Sequence, residues 1–210
     1  MIHIKSYNLF ENIKTSMPKW AQYVIDDAIE LWKSELPTKS GTVGPLFYGT
    51  ASNFTGFDKD FERSEFVYDF DLPDGFVFLT DDPKEARMYP GFATTGKMVV
   101  PMYIKKNYGI LTFKVNTNAP SRVFDDDYAG YGQLGMWDKF INGDHDKWVL
   151  EIKGTSKSTF VTYPDIPTYD INMAMDWSVA PNKKSIFEHA EKNEYIKRIL
   201  EKNNINNDTH

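Results

Sequence analysis

The chain has 210 residues, of which 41% are hydrophobic, enough for one domain with a full-sized core. It has no cysteine, which excludes disulfides, thiolate metal sites and a cysteine nucleophile. The formal net charge of -6 argues against broad electrostatic binding of nucleic acid, although a local basic groove would still allow such a substrate. Because the sequence shows no leader pattern and no apolar run of about 18 residues, we expect a soluble, cytoplasmic protein without membrane contact.

The first part of the chain predicts a helix followed by two strands. Residues 17–36 place apolar side chains at helical spacing on one face, and Pro18 suits the first turn. Strands are predicted over 45–50 ("PLFYGT") and 75–80 ("GFVFLT"). The acidic, aromatic segment between them is predicted to be a loop, which would cover a site with residues 55–74.

A short helix is predicted directly after the second strand. Asp82 is a good helix cap, Pro83 suits the first helical position, and Glu85 suits the third. Two more strands, "KMVVPMYI" and "GILTFKV", follow with the turn "KKNYG" between them. Another short helix is predicted around "GQLGMWDKFING".

The last part of the chain predicts two strands and a helical tail. The strands cover 147–152 ("KWVLEI") and 158–163 ("STFVTY"). The tail over 182–203 is predicted to be helical, with Ser185 and Glu188 in a capping-box pattern, and "NNINNDTH" is predicted to be a frayed end.

These elements together predict a single α+β domain with helices at both ends. Its parts would be a helical extension over 1–44, a core over 45–170 and a helical tail over 171–210.

Two strand ends carry residues suited to binding a planar ligand. Gly49 lies between the hydroxyls of Tyr48 and Thr50, so a ligand could approach the Gly49 backbone and pair a carboxamide with it. Phe78 and Tyr89 lie eleven residues apart across a strand, a turn and a short helix, which can bring two rings face to face. The more ordinary interpretation of both rings is core packing.

These two stretches resemble the ADP-ribosyltransferase fold, the family of the diphtheria-type toxins and the poly-ADP-ribose polymerases. In that family one strand ends in His-Gly-Thr or His-Gly-Ser, and a second contains a stacking Tyr with another Tyr eleven residues later. Here Gly49 and Thr50 match the Gly-Thr pair, Phe78 and Tyr89 match the stacking pair, and Ala86 matches a small position of the helix. The resemblance covers roughly residues 45–165, is nearest to the phage-encoded or toxin–antitoxin members, and implies a split β-sheet core.

The resemblance implies binding of NAD and transfer of ADP-ribose to a macromolecule. Nicotinamide would lie between Phe78 and Tyr89, and its carboxamide would pair with the Gly49 backbone. Arg87 and Lys84 would be candidates for diphosphate contacts, although a solvated helix face is the more ordinary interpretation. The implied NAD-binding residues are Tyr48, Gly49, Thr50, Phe78, Thr80, Arg87 and Tyr89.

Three positions depart from the family pattern. Tyr48 replaces the His that would bind the nicotinamide ribose, and Phe78 keeps a stacking face without the hydroxyl. The family has a catalytic Glu at the start of a late strand, where this chain has Thr159. Glu151 on the neighbouring strand and Asp165 at the far end are the candidate substitutes, so the implied catalytic set is Tyr48, Glu151, Thr159 and Asp165.

The alternatives belong to other functional classes. A member that lacks the His and Glu would be a catalytically inactive binding module or inhibitor. A metal-dependent hydrolase would use the acidic runs "DDD" (125–127) and "DHD" (144–146), whose spacing matches no metal signature. The favoured expectation is a mono-ADP-ribosyltransferase of a phage or toxin–antitoxin system, with a protein, DNA or RNA acceptor and an antitoxin docking on an end helix.

Overall fold

A computed structural model describes residues 18–50, 54–57, 77–88, 98–114, 148–153, 157–179 and 183–206. The predicted helix around "GQLGMWDKFING", both acidic runs, Tyr89 and most of the predicted covering loop lie outside these residues. The helices are α1 (Lys19–Glu35), α2 (Pro83–Ala86), α3 (Lys183–Ala190) and α4 (Glu194–Lys202), and a 3-10 turn spans Ile171–Met173. The strands are β1 (Thr42–Thr50), β2 (Val77–Thr80), β3 (Met98–Lys105), β4 (Gly109–Lys114), β5 (Trp148–Lys153), β6 (Ser158–Thr162), β7 (Pro167–Tyr169) and β8 (Met175–Asp176).

The eight strands form one sheet, in the order β4-β5-β6-β2-β1-β3-β7, with β8 also paired to β3. Every pairing between described strands is antiparallel except that of β4 with β5, which is parallel. The predicted α+β class is therefore confirmed. Within the described residues, β1 and β2 have one registered pair, Phe47 with Thr80. These two central strands are therefore paired over a short length.

The two faces of the sheet bury different sets of side chains. One face, here called the helix face, packs Phe47 and Val99 against α1, α3 and α4, with Trp177 fully buried between them. The other face is here called the open face, because no described α-helix contributes a side chain to its core cluster. That cluster includes Leu46, Leu79 and Phe160. Because side chains alternate along a strand, the face of each site residue follows from these two clusters and from the strand register.

Strand β1 begins at Thr42, three residues before the predicted start. Thr42 pairs with Lys105, and the register shifts between Val43 and Leu46. Gly44 lies in this irregular part with φ +137, and a Cβ there would come within 2.7 Å of the Met102 carbonyl oxygen. Only glycine suits such a backbone next to another strand.

The predicted tail is two helices rather than one. Helix α3 begins at Lys183, so Ser185 lies inside its first turn, and the predicted Ser185 cap is wrong. Asn193 separates the helices and caps α4, its Oδ1 accepting from the N–H groups of Tyr195 and Ile196.

The first four residues of the predicted frayed end are ordered. Asn204 has φ 53, and the Ile205 N–H donates to the Leu200 carbonyl, the pattern of a helix C-terminal Schellman motif. No helix in the described part of the chain is both long and apolar enough to cross a membrane.

Candidate functional site

The central strands place Gly49 and Phe78 at opposing positions, two residues from the registered pair Phe47–Thr80. Phe47 is registered with Thr80, and the antiparallel course of both strands carries Gly49 toward Phe78 two residues further on. By the alternation of side chains, Gly49, Phe78 and Thr80 share the helix face with Phe47. Gly49 is buried and Phe78 is partly exposed. The ring of Phe78 is aligned with Gly49, a position that carries no side chain.

Buried valines flank this pair on the outer strands. Val99 is registered with Gly49 and Val161 with Phe78, and both valines are fully buried. The row across the helix face is thus apolar on both sides of the bare backbone at Gly49. Of these four residues only Phe78 is partly exposed, so a ligand ring would stack on Phe78, and stacked rings gain about 0.5–1.5 kcal/mol beyond their buried area.

Tyr48 lies on the open face, opposite to Phe78. Its ring packs against Phe54 (5.4 Å between centroids) and Phe57 (5.1 Å), and both of these rings also contact Tyr169. The Tyr169 hydroxyl accepts a hydrogen bond from the Phe57 N–H (3.2 Å). Tyr48, Phe54, Phe57 and Tyr169, here called the aromatic cluster, therefore hold the short segment 54–57 on the open face.

The phenol of Tyr48 is a weak acid in this setting. Burial raises its pKa to about 12, and a hydrogen bond with the Thr50 hydroxyl opposes the rise. Thr50 lies two residues after Tyr48 on the same strand, so it shares the open face. Of the predicted Tyr-Gly-Thr set, only Gly49 lies on the same face as Phe78.

A carboxylate is held at the end of β2 on the helix face. The Thr80 hydroxyl donates to Glu85 Oε2 (3.0 Å), and Lys157 Nζ lies 2.8 Å from Glu85 Oε1. Thr80 is registered with Thr159 on β6. The structure therefore brings Glu85 to the start of β6, next to the position of Thr159.

The other two acidic candidates lie elsewhere. Glu151 faces the open side beside Phe160, where it accepts from the hydroxyls of Thr112 (2.7 Å) and Ser158 (3.1 Å). Asp165 lies exposed in the turn after β6, at the end of that strand opposite to Thr159. Neither carboxylate shares the helix face with Phe78.

The two cations of the short helix are already engaged. The Arg87 side chain is 6% exposed, and its Nε donates to the Trp177 carbonyl oxygen (3.0 Å). Burial lowers the pKa of the Arg87 guanidinium, and the nearby carboxylates of Asp26 and Asp176 oppose that change. Lys84 pairs with Glu30 at 3.1 Å. Arg87 thus supports the packing of α2, and the structure does not present it on an open surface.

Sequence reasoning did not select Glu85 as a candidate site residue. Its position three residues after Asp82 indicated only the start of a helix, and that start is correct because Asp82 accepts from the Lys84 N–H. A local signal of this kind does not indicate the distance from Glu85 to Thr80 and Lys157, because that distance depends on how α2 packs on β1 and β2.

Comparisons of the chain with known protein families, with curated proteins and with solved structures gave no match. Within the described ranges, no group of three or more His, Asp or Glu side chains is arranged to hold a metal ion.

Proposed function

We propose that this protein binds NAD⁺ and transfers ADP-ribose from it to a macromolecular acceptor, as a mono-ADP-ribosyltransferase. The observation that carries the proposal is the pair on the helix face: the partly exposed ring of Phe78 and the backbone of Gly49, which lie at opposing positions two residues from Phe47–Thr80, the one registered pair in the described parts of β1 and β2. The nicotinamide ring stacks on Phe78, and its carboxamide pairs with the Gly49 backbone.

The residues present fit one part of NAD⁺ better than the others. The partly exposed ring of Phe78 suits the nicotinamide ring. Arg87, by contrast, is engaged with the Trp177 carbonyl and makes no diphosphate contact in the proposed complex. Tyr48 lies on the face opposite to the proposed nicotinamide site and makes no hydrogen bond to the ribose there.

The reaction needs the glycosidic bond between nicotinamide and ribose to break. The electron pair of that bond stays on the nicotinamide nitrogen, which leaves as a neutral molecule, and positive charge develops on the ribose. An O–H or N–H group of the acceptor then bonds to the ribose carbon and gives its proton to solvent. A fixed negative charge near the ribose lowers the barrier to this step.

A second candidate function is a binding module of the same fold without catalysis. The observation that favours it is the position of Tyr48, which stands where the resembled family has a ribose-binding His and yet lies on the opposite face from Phe78. A protein of this kind would bind NAD⁺ or a partner and release no nicotinamide.

The wider setting of the proposal rests on the resemblance alone. It comprises a cytoplasmic location, a protein or nucleic-acid acceptor, and a toxin role in a phage or toxin–antitoxin system with an antitoxin or inhibitor as partner.

The test is nicotinamide release from NAD⁺ by the purified protein, with cell lysate as the source of acceptor. Transfer of labelled ADP-ribose to a macromolecule is the expected result, and treating the lysate with nuclease or protease identifies the acceptor class. NAD⁺ binding without release would favour the binding module. Absence of both NAD⁺ binding by calorimetry and nicotinamide release would overturn the proposal.

Variants at the central pair test the site itself. Phe78→Ala should raise the NAD⁺ dissociation constant by about 2- to 13-fold, because a ring stack contributes about 0.5–1.5 kcal/mol. Gly49→Val should abolish binding by adding a branched side chain on the helix face at the position opposite Phe78. Phe187→Ala is the matched control, because this ring packs on the helical core through Trp20 and should leave NAD⁺ affinity unchanged.

A further inference from the structure

Cleavage of the glycosidic bond calls for a carboxylate on the same face as the nicotinamide. The three positions indicated by the sequence do not supply one there. Thr159 has no charge, Glu151 faces the open side, and Asp165 lies in an exposed turn at the other end of β6.

Glu85 supplies a carboxylate on the helix face. Its two oxygens have separate partners, the Thr80 hydroxyl at 3.0 Å and Lys157 Nζ at 2.8 Å, and its side chain is 21% exposed. Two partners from different elements fix the orientation of the carboxylate before any ligand arrives. Preorganisation of this kind makes a charge effective in a transition state, because no reorganisation is needed during the reaction.

The position of Glu85 relative to Phe78 is set by β2. Thr80 and Phe78 are two residues apart on the same face of the strand, which separates them by about 7 Å. The Glu85 carboxylate accepts a hydrogen bond from the Thr80 hydroxyl. It therefore lies about one two-residue repeat of the strand from the Phe78 ring, on which the nicotinamide would stack. A ribose attached to a nicotinamide on Phe78 would extend across that interval.

We infer that Glu85 is the catalytic carboxylate of the proposed reaction and that Thr80 and Lys157 are its positioning residues. The inference rests on the proposed function. As the bond from the ribose carbon to the nicotinamide nitrogen breaks and its electron pair leaves with nicotinamide, the Glu85 carboxylate faces the positive charge on the ribose. The acceptor or a water molecule then bonds to that carbon and loses its proton to solvent.

The test compares three conservative variants of the full chain: Glu85→Gln, Glu151→Gln and Asp165→Asn. Glu85→Gln should lower the rate of nicotinamide release by about 100-fold or more, the usual effect of removing one preorganised electrostatic group. Its NAD⁺ dissociation constant should stay within about 3-fold of the parent value, because the nicotinamide contacts are intact. The two control variants should release nicotinamide within about 3-fold of the parent rate.

The positioning role of Lys157 has a separate readout. Lys157→Met should lower kcat by about 10-fold with little change in KM, and Lys157→Arg should restore most of the loss by replacing the ion pair. If Lys157 had a purely structural role, Lys157→Met would change the unfolding midpoint, and the loss of kcat in Lys157→Met with recovery in Lys157→Arg would not be seen.

The outcomes of these experiments distinguish the assignment of Glu85 from the proposed transferase function. Normal release by Glu85→Gln, or loss of release by Glu151→Gln or Asp165→Asn, would overturn the assignment of Glu85 while leaving the transferase proposal standing. A parent protein that neither binds NAD⁺ nor releases nicotinamide would overturn both.

Discussion

Tyr48 shows that the place of a residue in a sequence pattern does not fix the face of the sheet on which its side chain lies. The sequence sets it next to Gly49, where the resembled family has a ribose-binding His. In the fold its ring belongs to the aromatic cluster, with Phe54 and Phe57 as neighbours. Its hydroxyl pairs with Thr50, and its raised pKa keeps the phenol neutral well above physiological pH. Tyr48 therefore acts through packing of the segment 54–57 on the sheet.

The pKa of Tyr48 predicts a loss of stability at alkaline pH. A folded-state pKa of about 12, against the ordinary tyrosine value of 10.0, means that the stabilisation is complete below pH 10 and is lost as pH rises toward 12. Between pH 8 and pH 11 the free energy of unfolding should fall by about 1.4 kcal/mol because of this group. Urea unfolding of the parent and of Tyr48→Phe at both pH values measures it.

Comparison with Tyr48→Phe is needed because burial also raises the pKa of Tyr103 and Tyr195. Those two groups contribute equally in both proteins, so the difference between the two pH dependences belongs to Tyr48. Identical pH dependences in the parent and Tyr48→Phe would contradict the prediction.

At the scale of elements, the clearest case is the cap between α3 and α4. The Asn193 side chain is 3% exposed, and its Oδ1 accepts from two N–H groups of α4. Its Nδ2 donates to the Asp176 carbonyl oxygen at 3.3 Å, which ties the helix start to β8. One side chain thus begins a helix and fixes its direction relative to the sheet.

Asn193→Ala should lower the free energy of unfolding by about 1–3 kcal/mol. The loss combines the cap, typically about 1 kcal/mol, with buried backbone groups that are left without a partner. Urea unfolding followed by circular dichroism provides the measurement. Lys192→Ala, at the exposed neighbouring position, is the control and should change stability by less than about 0.5 kcal/mol. Equal effects of the two substitutions would show that the cap contributes nothing.

The elements that sequence patterns predicted well are those with local signals. Helix α2 begins at Pro83 as predicted, because Asp82 and Pro83 specify a helix start without help from the rest of the chain. The break at Asn193 was missed because it depends partly on a contact with Asp176, seventeen residues away. The early start of β1 has a similar cause, since Thr42 joins the strand by pairing with Lys105.

The candidate site was only partly predictable for the same physical reason. The strand end at Gly49 and the eleven-residue spacing of Phe78 and Tyr89 predicted a ligand site; Tyr89 lies outside the described residues, and the register aligns Gly49 with Phe78 on one face. The sequence could not indicate that Tyr48 lies on the other face, because one register, Phe47 with Thr80, decides the face of every residue in both strands. Nor could it indicate the contact of Glu85 with Thr80, which depends on packing between elements.

At the scale of the whole molecule, both ends of the described chain pack on one face of the sheet. Helix α1 contributes Ile25 and Ile29 to the helix-face core, and α4 contributes Ile196 and Leu200. The exposed pair Arg198–Glu35 (2.7 Å) also joins the two helices, although an exposed ion pair contributes little to stability. The end helices are therefore parts of the core that supports β1.

This arrangement predicts a single unfolding transition. Ile29→Ala in α1 and Ile196→Ala in α4 should each lower the free energy of unfolding by about 2–5 kcal/mol, since both side chains are almost fully buried. Circular dichroism and tryptophan fluorescence should report the same midpoint in urea for each variant. Tyr23→Ala, at a position 67% exposed, is the control and should change stability by less than about 0.5 kcal/mol.

The same unfolding measurement shows whether α4 unfolds together with the core or independently of it. An antitoxin that docked by capturing α4 would have to remove Ile196 and Leu200 from the core, at a cost close to that of unfolding this part of the protein. If Ile196→Ala instead produced an early helical transition while the midpoint by tryptophan fluorescence stayed at the parent value, α4 would unfold independently. A partner could then bind the apolar face of α4 without disturbing β1 and the Gly49–Phe78 pair. If a single shared transition is observed instead, we expect a partner to bind a surface other than the buried face of α4.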